Sequence, residues 1–129
     1  MKKLLVLLFS IMILPLSANA SDVYYCSDDA ATGFDTLNRY KQVNFNEGKF
    51  KIKIDFENAS ALSDDIFYGN HLKPSCVFND THPALYCINA IGSVFTINKT
   101  SLNYVRGSNM NKLNPTDDLV VAYGTCQKF

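Results

Sequence analysis

Residues able to do acid–base, nucleophilic or metal chemistry are few in this chain, and none stands in a pattern such chemistry requires. The two histidines lie apart, His71 in Gly69-Asn70-His71-Leu72-Lys73-Pro74 and His82 in Asn79-Asp80-Thr81-His82-Pro83. Neither has an H-x-H or H-E-x-x-H partner or a cysteine at ligand spacing, so both read as surface loop residues. Acidic pairs occur at Asp28-Asp29, Asp64-Asp65 and Asp117-Asp118. Adjacent carboxylates can hold calcium or share acid–base work, but without EF-hand spacing they are expected to serve turns and caps. There is no G-x-S-x-G elbow and no glycine cluster to cradle a phosphate. The sequence implies no cofactor and no metal, and the chain is expected not to be an enzyme.

Cysteine chemistry points elsewhere. Cys26, Cys76, Cys87 and Cys126 are even in number and contain no C-x-x-C, which favours structural disulfides over zinc or redox duty. Three pairings are possible. Spacing favours the nested one, Cys26–Cys126 tying the ends together and Cys76–Cys87 closing a hairpin.

Such bonds need an oxidising compartment, and residues 1–20 supply the address. Lys2 and Lys3 precede an apolar run from Leu4 to Leu16, followed by Ser17-Ala18-Asn19-Ala20 with small residues at both A-x-A positions. This is the pattern of a secretory signal peptide cut after Ala20. The run is too short to span a bilayer, and Pro15 breaks its end. Ser21, not cysteine, follows the cut, so no lipid anchor is expected. The two-lysine signal has a bacterial look, and the mature protein is expected to be soluble in the periplasm or the medium, with no membrane span.

Charge and composition narrow the partners. The whole chain carries 12 basic and 12 acidic residues, a net charge of zero. Loss of Lys2 and Lys3 leaves 10 basic against 12 acidic residues, or −2. A nucleic-acid binder needs a basic face, so that class is excluded. Hydrophobic residues at 47% and charged ones at 19% fit one globular domain, residues 21–129. Abundant Asn, Lys, Ile and Phe fit an AT-rich bacterial genome. The sequons at Asn58, Asn79 and Asn98 are read as chance.

The elements that hold these residues read as strands. Residues 49–57 alternate without a fault, Phe50, Ile52, Ile54 and Phe56 on one face and Lys49, Lys51, Lys53, Asp55 and Glu57 on the other. Residues 40–45 precede them, and Asn46-Glu47-Gly48 between the two is expected to form a three-residue hairpin loop with Gly48 at positive φ. Cys76–Phe78 and Ala84–Asn89 flank a turn, and the simplest register sets Cys76 opposite Cys87 and Phe78 opposite Leu85. Strands at 93–97 and 102–106 follow, then a polar loop from Gly107 to Thr116. Asp118–Lys128 is a last strand, with Gly124 at a bulge. Short helical turns are expected at Ser63–Tyr68, capped by Ser63-Asp64-Asp65, and at Asp35–Tyr40. The expected fold is all-β, a small antiparallel barrel or sandwich of about seven to eight strands stapled by disulfides.

Four segments carry a likeness: Val23-Tyr24-Tyr25-Cys26-Ser27-Asp28-Asp29, Leu85-Tyr86-Cys87-Ile88-Asn89, Phe95-Thr96-Ile97-Asn98-Lys99 and Gly124-Thr125-Cys126-Gln127-Lys128-Phe129. Together they resemble small exported proteins of SAR11-type marine alphaproteobacteria, a likeness that implies location and fold style and no activity. More loosely, the Tyr24-Tyr25-Cys26 start and the cysteine in the terminal strand resemble the periplasmic C-type lysozyme inhibitors, which are small antiparallel barrels. Cys76, Cys87 and the greater length depart from that pattern, and no inhibitory residue maps onto this chain.

The function expected from all this is binding of a periplasmic protein or glycan through loops. His71, His82, Arg106 and Lys112 are the available polar contacts on Gly69–Pro74, Asp80–Pro83 and Gly107–Thr116. The competing classes are a small periplasmic hydrolase and an envelope structural or assembly factor, with lysozyme inhibition as a minor possibility. Oligomeric state has no signature in the sequence.

Overall fold

The computed structural model describes residues 21–68, 72–108 and 118–129. Residues 1–20, expected to be a signal peptide, and His71 and Lys112 lie outside the described residues. The chain runs β1 (Asp22–Asp35), β2 (Lys41–Phe45), β3 (Lys49–Asp55), β4 (Ser60–Leu62), α1 (Asp64–Phe67), β5 (Ser75–Asn79), β6 (Ala84–Ile88), β7 (Val94–Asn98), β8 (Asn103–Ser108) and β9 (Leu119–Lys128). Eight strands follow the order β4-β3-β1-β9-β8-β7-β6-β5, and every pairing is antiparallel. The ends of this path, β4 and β5, come close without a ladder, so the sheet is a nearly closed barrel.

Alternation builds the core. Ile52 and Ile54 on β3 are buried while Lys51 and Lys53 stay in water. They meet Leu85, Phe95 and Ile97 from the opposite wall. Phe50, Phe95 and Tyr104 form a cluster of rings, with centroids 5.3 Å apart for Phe50–Tyr104 and 5.6 Å for Phe95–Tyr104. Ile66 and Phe67 of α1 are buried in the same cluster. Phe56 departs from the expected pattern: β3 ends at Asp55, and Phe56 is half-buried against Tyr24 and Phe78.

Both expected disulfides are present, and each joins residues directly opposite across a ladder. Cys26 pairs with Cys126 between β1 and β9, at a Cα separation of 4.0 Å. Cys76 pairs with Cys87 between β5 and β6, at 4.1 Å, with Phe78 opposite Leu85. Two disulfides point to an oxidising compartment outside the cytoplasm.

Two expectations about turns are corrected. The hairpin between β2 and β3 does not form. Strand β1 is 14 residues long, so its halves pair in turn with β3 through Asp22–Ser27 and with β2 through Ala31–Asp35. Gly48 bridges to Asp28 in between, and Gly92 is the positive-φ glycine among the described residues. The hairpin lies instead between β1 and β2, and residues 36–40, expected as a helical turn, are its loop. The second correction concerns α1. Its helical turn exists, but the Ser63 hydroxyl donates to the Lys51 carbonyl (2.6 Å) and makes no cap.

The bulge expected at Gly124 sits on the partner strand. Asp28 pairs with Gly124 and Ala30 with Tyr123, which leaves Asp29 as the extra residue of β1. Gly124 is required there, because a Cβ would lie 2.0 Å from the Ser27 carbonyl oxygen and 2.8 Å from the Tyr104 hydroxyl.

Candidate functional site

Three features of the described surface and interior combine polar chemistry with an unusual environment. The first is Asp28, whose side chain is fully buried at the inner side of the bulge. Arg106 of β8 forks onto it, Nε donating to Oδ1 at 2.9 Å and Nη2 donating to Oδ2. The Tyr104 hydroxyl donates to Oδ1 (2.7 Å) and the Gly48 backbone N–H to Oδ2 (2.7 Å). The guanidinium also lies over the Phe50 ring, 5.8 Å from its centroid. Burial alone would raise the Asp28 pKa, but the hydrogen bonds from Arg106, Tyr104 and Gly48 outweigh it and hold the carboxyl below its usual value. Burial, and then the bond to Asp28, pushes the Tyr104 phenol up.

This cluster is a tie and not a catalytic dyad. Four donors occupy the carboxylate, which offers about four lone-pair sites in all, so no acceptor is left for a substrate proton. Arg106 is thereby removed from the set of loop contacts expected from sequence: it points into the barrel wall, and its charge is spent on Asp28. His82 is exposed, as expected, in a turn where Asn79 Oδ1 accepts from the backbone N–H of Thr81 and of His82. Among the described residues no group of three His, Cys, Asp or Glu could hold a metal ion.

The second feature is the β1–β2 hairpin tip, which sequence reasoning missed. Leu37 at its apex is 93% exposed. The turn beneath it is fixed from both sides. Asp35 Oδ1 accepts from the Leu37 backbone N–H (2.9 Å), Asp35 Oδ2 accepts from the Asn38 side chain, and the Tyr40 N–H donates to the Asp35 carbonyl (2.8 Å). From β9's side, Asp118 Oδ1 accepts from both the backbone N–H (2.8 Å) and the hydroxyl (2.6 Å) of Thr36. The Thr36 hydroxyl and backbone bonds also hold the Asp118 carboxyl below its usual pKa. Arg39 and Tyr40 take consecutive left-handed conformations, φ 55° and 60°. Such backbone costs on the order of 1–3 kcal/mol per non-glycine residue and persists where its surroundings impose it. The tip thus presents Leu37 between the exposed side chains of Asn38, Arg39 and Lys41.

The third feature is the outer wall. Open depressions mark it, two of which matter here. One, of about 590 Å³, lies over β3-β1-β9 and is lined by Tyr25, Ser27, Lys49, Lys51, Asp65 and Gln127, with Lys51 over the Tyr25 ring. The other, of about 470 Å³, lies beside the bulge, where Asp29 and Tyr123 face Thr96, Asn98, Asn103 and Val105. Neither brings a nucleophile to a base.

Comparison with family models, with curated proteins and with solved structures finds no match to this chain. The functional reading therefore rests on its own geometry.

Proposed function

We propose that this chain is a periplasmic or secreted binding protein that recognises an envelope protein through the β1–β2 hairpin tip and performs no catalysis. The observation that carries the reading is Leu37, fully presented on a turn whose backbone is already fixed. A leucine held in water forgoes about 1.5–3 kcal/mol of burial, which a partner's pocket recovers. A pre-ordered turn loses little further entropy on docking, so that gain survives in the affinity. Arg39 and Lys41 flank the apex. The complementary surface is an apolar pocket with an acidic rim.

A lone leucine is too small an anchor for a lipid surface, where even one myristoyl chain binds marginally. A protein pocket is the better fit. Export to the periplasm or the medium is supported by the tripartite leader and the two disulfides, and the intact mass of the exported protein should start at Ser21.

The test is capture from envelope extract by immobilised wild type and by Leu37→Asp, with a panel of hydrolase and lysozyme-inhibition assays alongside. A protein retained by the wild type and lost with Leu37→Asp supports the reading. Turnover of any substrate, abolished by His82→Ala, overturns it in favour of an enzyme.

A further inference from the structure

The depression beside the bulge gathers one bare carboxylate, several uncharged polar groups and an open aromatic ring. Its volume, about 470 Å³, lies within the roughly 300–1,000 Å³ of small-ligand sites. The bulge supplies the carboxylate. Asp28 turns inward to Arg106, and the extra residue, Asp29, is left outside the ladder and exposed in the depression. Among the described residues Asp29 accepts no hydrogen bond and has no ion pair. The described residues lining the depression include no lysine or arginine. Arg106 is spent on Asp28 within the wall, and Lys99, in the turn after Asn98, lies over the Phe56 and Phe78 rings.

The groups around Asp29 are uncharged and only partly used. Asn98 Oδ1 accepts from the backbone N–H of Thr100 (2.8 Å) and of Ser101 (2.9 Å), which fixes the carboxamide. Its Nδ2 donors find no acceptor among the described residues, and the side chains of Thr96 and Asn103 have no hydrogen-bond partner there either. Tyr123 is 56% exposed, and among the described residues no ring or cation packs on its ring. Val105 stands between Tyr123 and Thr96 in the ladder and gives the depression an apolar middle.

We propose that this depression binds a neutral sugar unit of a glycan. A sugar is the ligand that uses all of these groups at once. A carboxylate accepts from two neighbouring hydroxyls, while carboxamides and a threonine hydroxyl serve the remaining oxygens as donors or acceptors. The electron-rich face of Tyr123 suits the C–H face of a pyranose ring. The bare Asp29 carboxylate repels an acidic glycan or a phosphate. A basic peptide would gain a single exposed ion pair there, which contributes little. The groups stand on four adjacent strands, β1, β9, β8 and β7, so their placement costs little ordering when a ligand docks. None of the lining residues belongs to the β1–β2 apex. The sugar site therefore goes beyond the recognition proposed for Leu37 and can fail without it.

Heteronuclear NMR titration of the exported chain tests this. The probes are maltotetraose, mannotetraose and chitotetraose, with tetragalacturonate as the acidic counterpart and tetralysine as the basic peptide. A dispersed spectrum and retention of both disulfides establish that each variant is folded. At least one neutral probe should bind with a Kd of about 0.1–1 mM, as suits an open site, and should shift the signals of Asp29, Thr96 and Tyr123. Tyr123→Ala and Asp29→Ala should each weaken binding at least about tenfold, while Tyr123→Phe, which keeps the ring face, should stay within about twofold. Leu37→Asp and Lys51→Glu should leave it unchanged. Raising salt from about 0.05 to 0.5 M should not weaken it, because the ligand is uncharged. Three results overturn the proposal: no neutral probe binding below about 10 mM, binding untouched by both alanine variants, or binding of tetragalacturonate or tetralysine alone. Cleavage of a bound probe overturns it in favour of an enzyme.

Discussion

Asp28 and Arg106, 78 residues apart in sequence, meet as a two-pronged ion pair inside the barrel wall. They belong to β1 and β8, which are not neighbours, since β9 runs between them. The contact passes over Gly124, paired with Asp28 on one side and Tyr104 on the other. The missing side chain of Gly124 is what lets the Tyr104 hydroxyl reach the carboxylate. Strands β1, β9 and β8 are thus fastened together at the bulge.

Breaking the pair from one side strands the other partner, so the two changes should not add. Asp28→Asn or Arg106→Met alone leaves a buried or half-buried group without its partner, with an expected loss of about 3–5 kcal/mol. The double variant should lose less than the sum of the two, by about 1–3 kcal/mol. Urea unfolding of the four proteins measures this, and strict additivity would deny the coupling. Gly124→Ala should be as damaging as either single change.

Acid should expose the same tie. A carboxyl whose folded pKa lies below its unfolded one, as Asp28's does, stabilises the fold fully above its unfolded value of about 3.9. That contribution is lost as pH falls through the folded pKa. Wild-type stability should therefore drop below about pH 4, and Asp28→Asn should flatten that drop. Melting temperatures from pH 6 to about pH 2 decide it; parallel curves would remove Asp28 from the account.

The two disulfides should differ in worth. The Cys26–Cys126 bond closes a loop with a separation of 100 residues and Cys76–Cys87 one of 11. Chain entropy assigns them about 4.7 and just under about 3 kcal/mol. Cys26→Ala with Cys126→Ala should accordingly be the more destabilising double change. Denaturant midpoints compare them, and non-reducing peptide maps of the wild type should show these two links.

Strand β3 offers a check on packing. Ile52→Ala or Ile54→Ala should cost about 2–5 kcal/mol, since both side chains are in the core. Lys51→Ala should cost less than about 0.5 kcal/mol. Equal losses would contradict the alternation seen along Lys49–Asp55.

Much of this fold is legible in the sequence, where local pattern decides. The alternation of β3, the β5–β6 register and both disulfides follow from period, turn residues and cysteine spacing. What fails is what depends on distant partners. Asn46-Glu47-Gly48 has hairpin chemistry, yet the length of β1 overrides it by offering each flanking strand its own stretch of edge. Arg106 has no local sign of its burial, because its partner lies 78 residues away. Asparagine abundance needs no structural cause by composition, but Asn79 and Asn98 each fix a turn by accepting two backbone N–H groups. The exposure of Leu37 is equally hidden: Asp35-Thr36-Leu37-Asn38 resembles a helix start, and the anchor that makes it a tip, Asp118, comes 82 residues after Thr36.

The central claim, recognition through the apex of the hairpin, is tested most directly by a graded series at Leu37. Leu37→Met, Leu37→Ala and Leu37→Asp change an exposed side chain without touching the bonds of Asp35, Thr36 and Asp118, so folding should be unaffected. Quantitative capture of one envelope protein should fall in that order, nearly kept by Met, weakened about tenfold or more by Ala and lost with Asp. Equal capture by all four proteins would contradict the account.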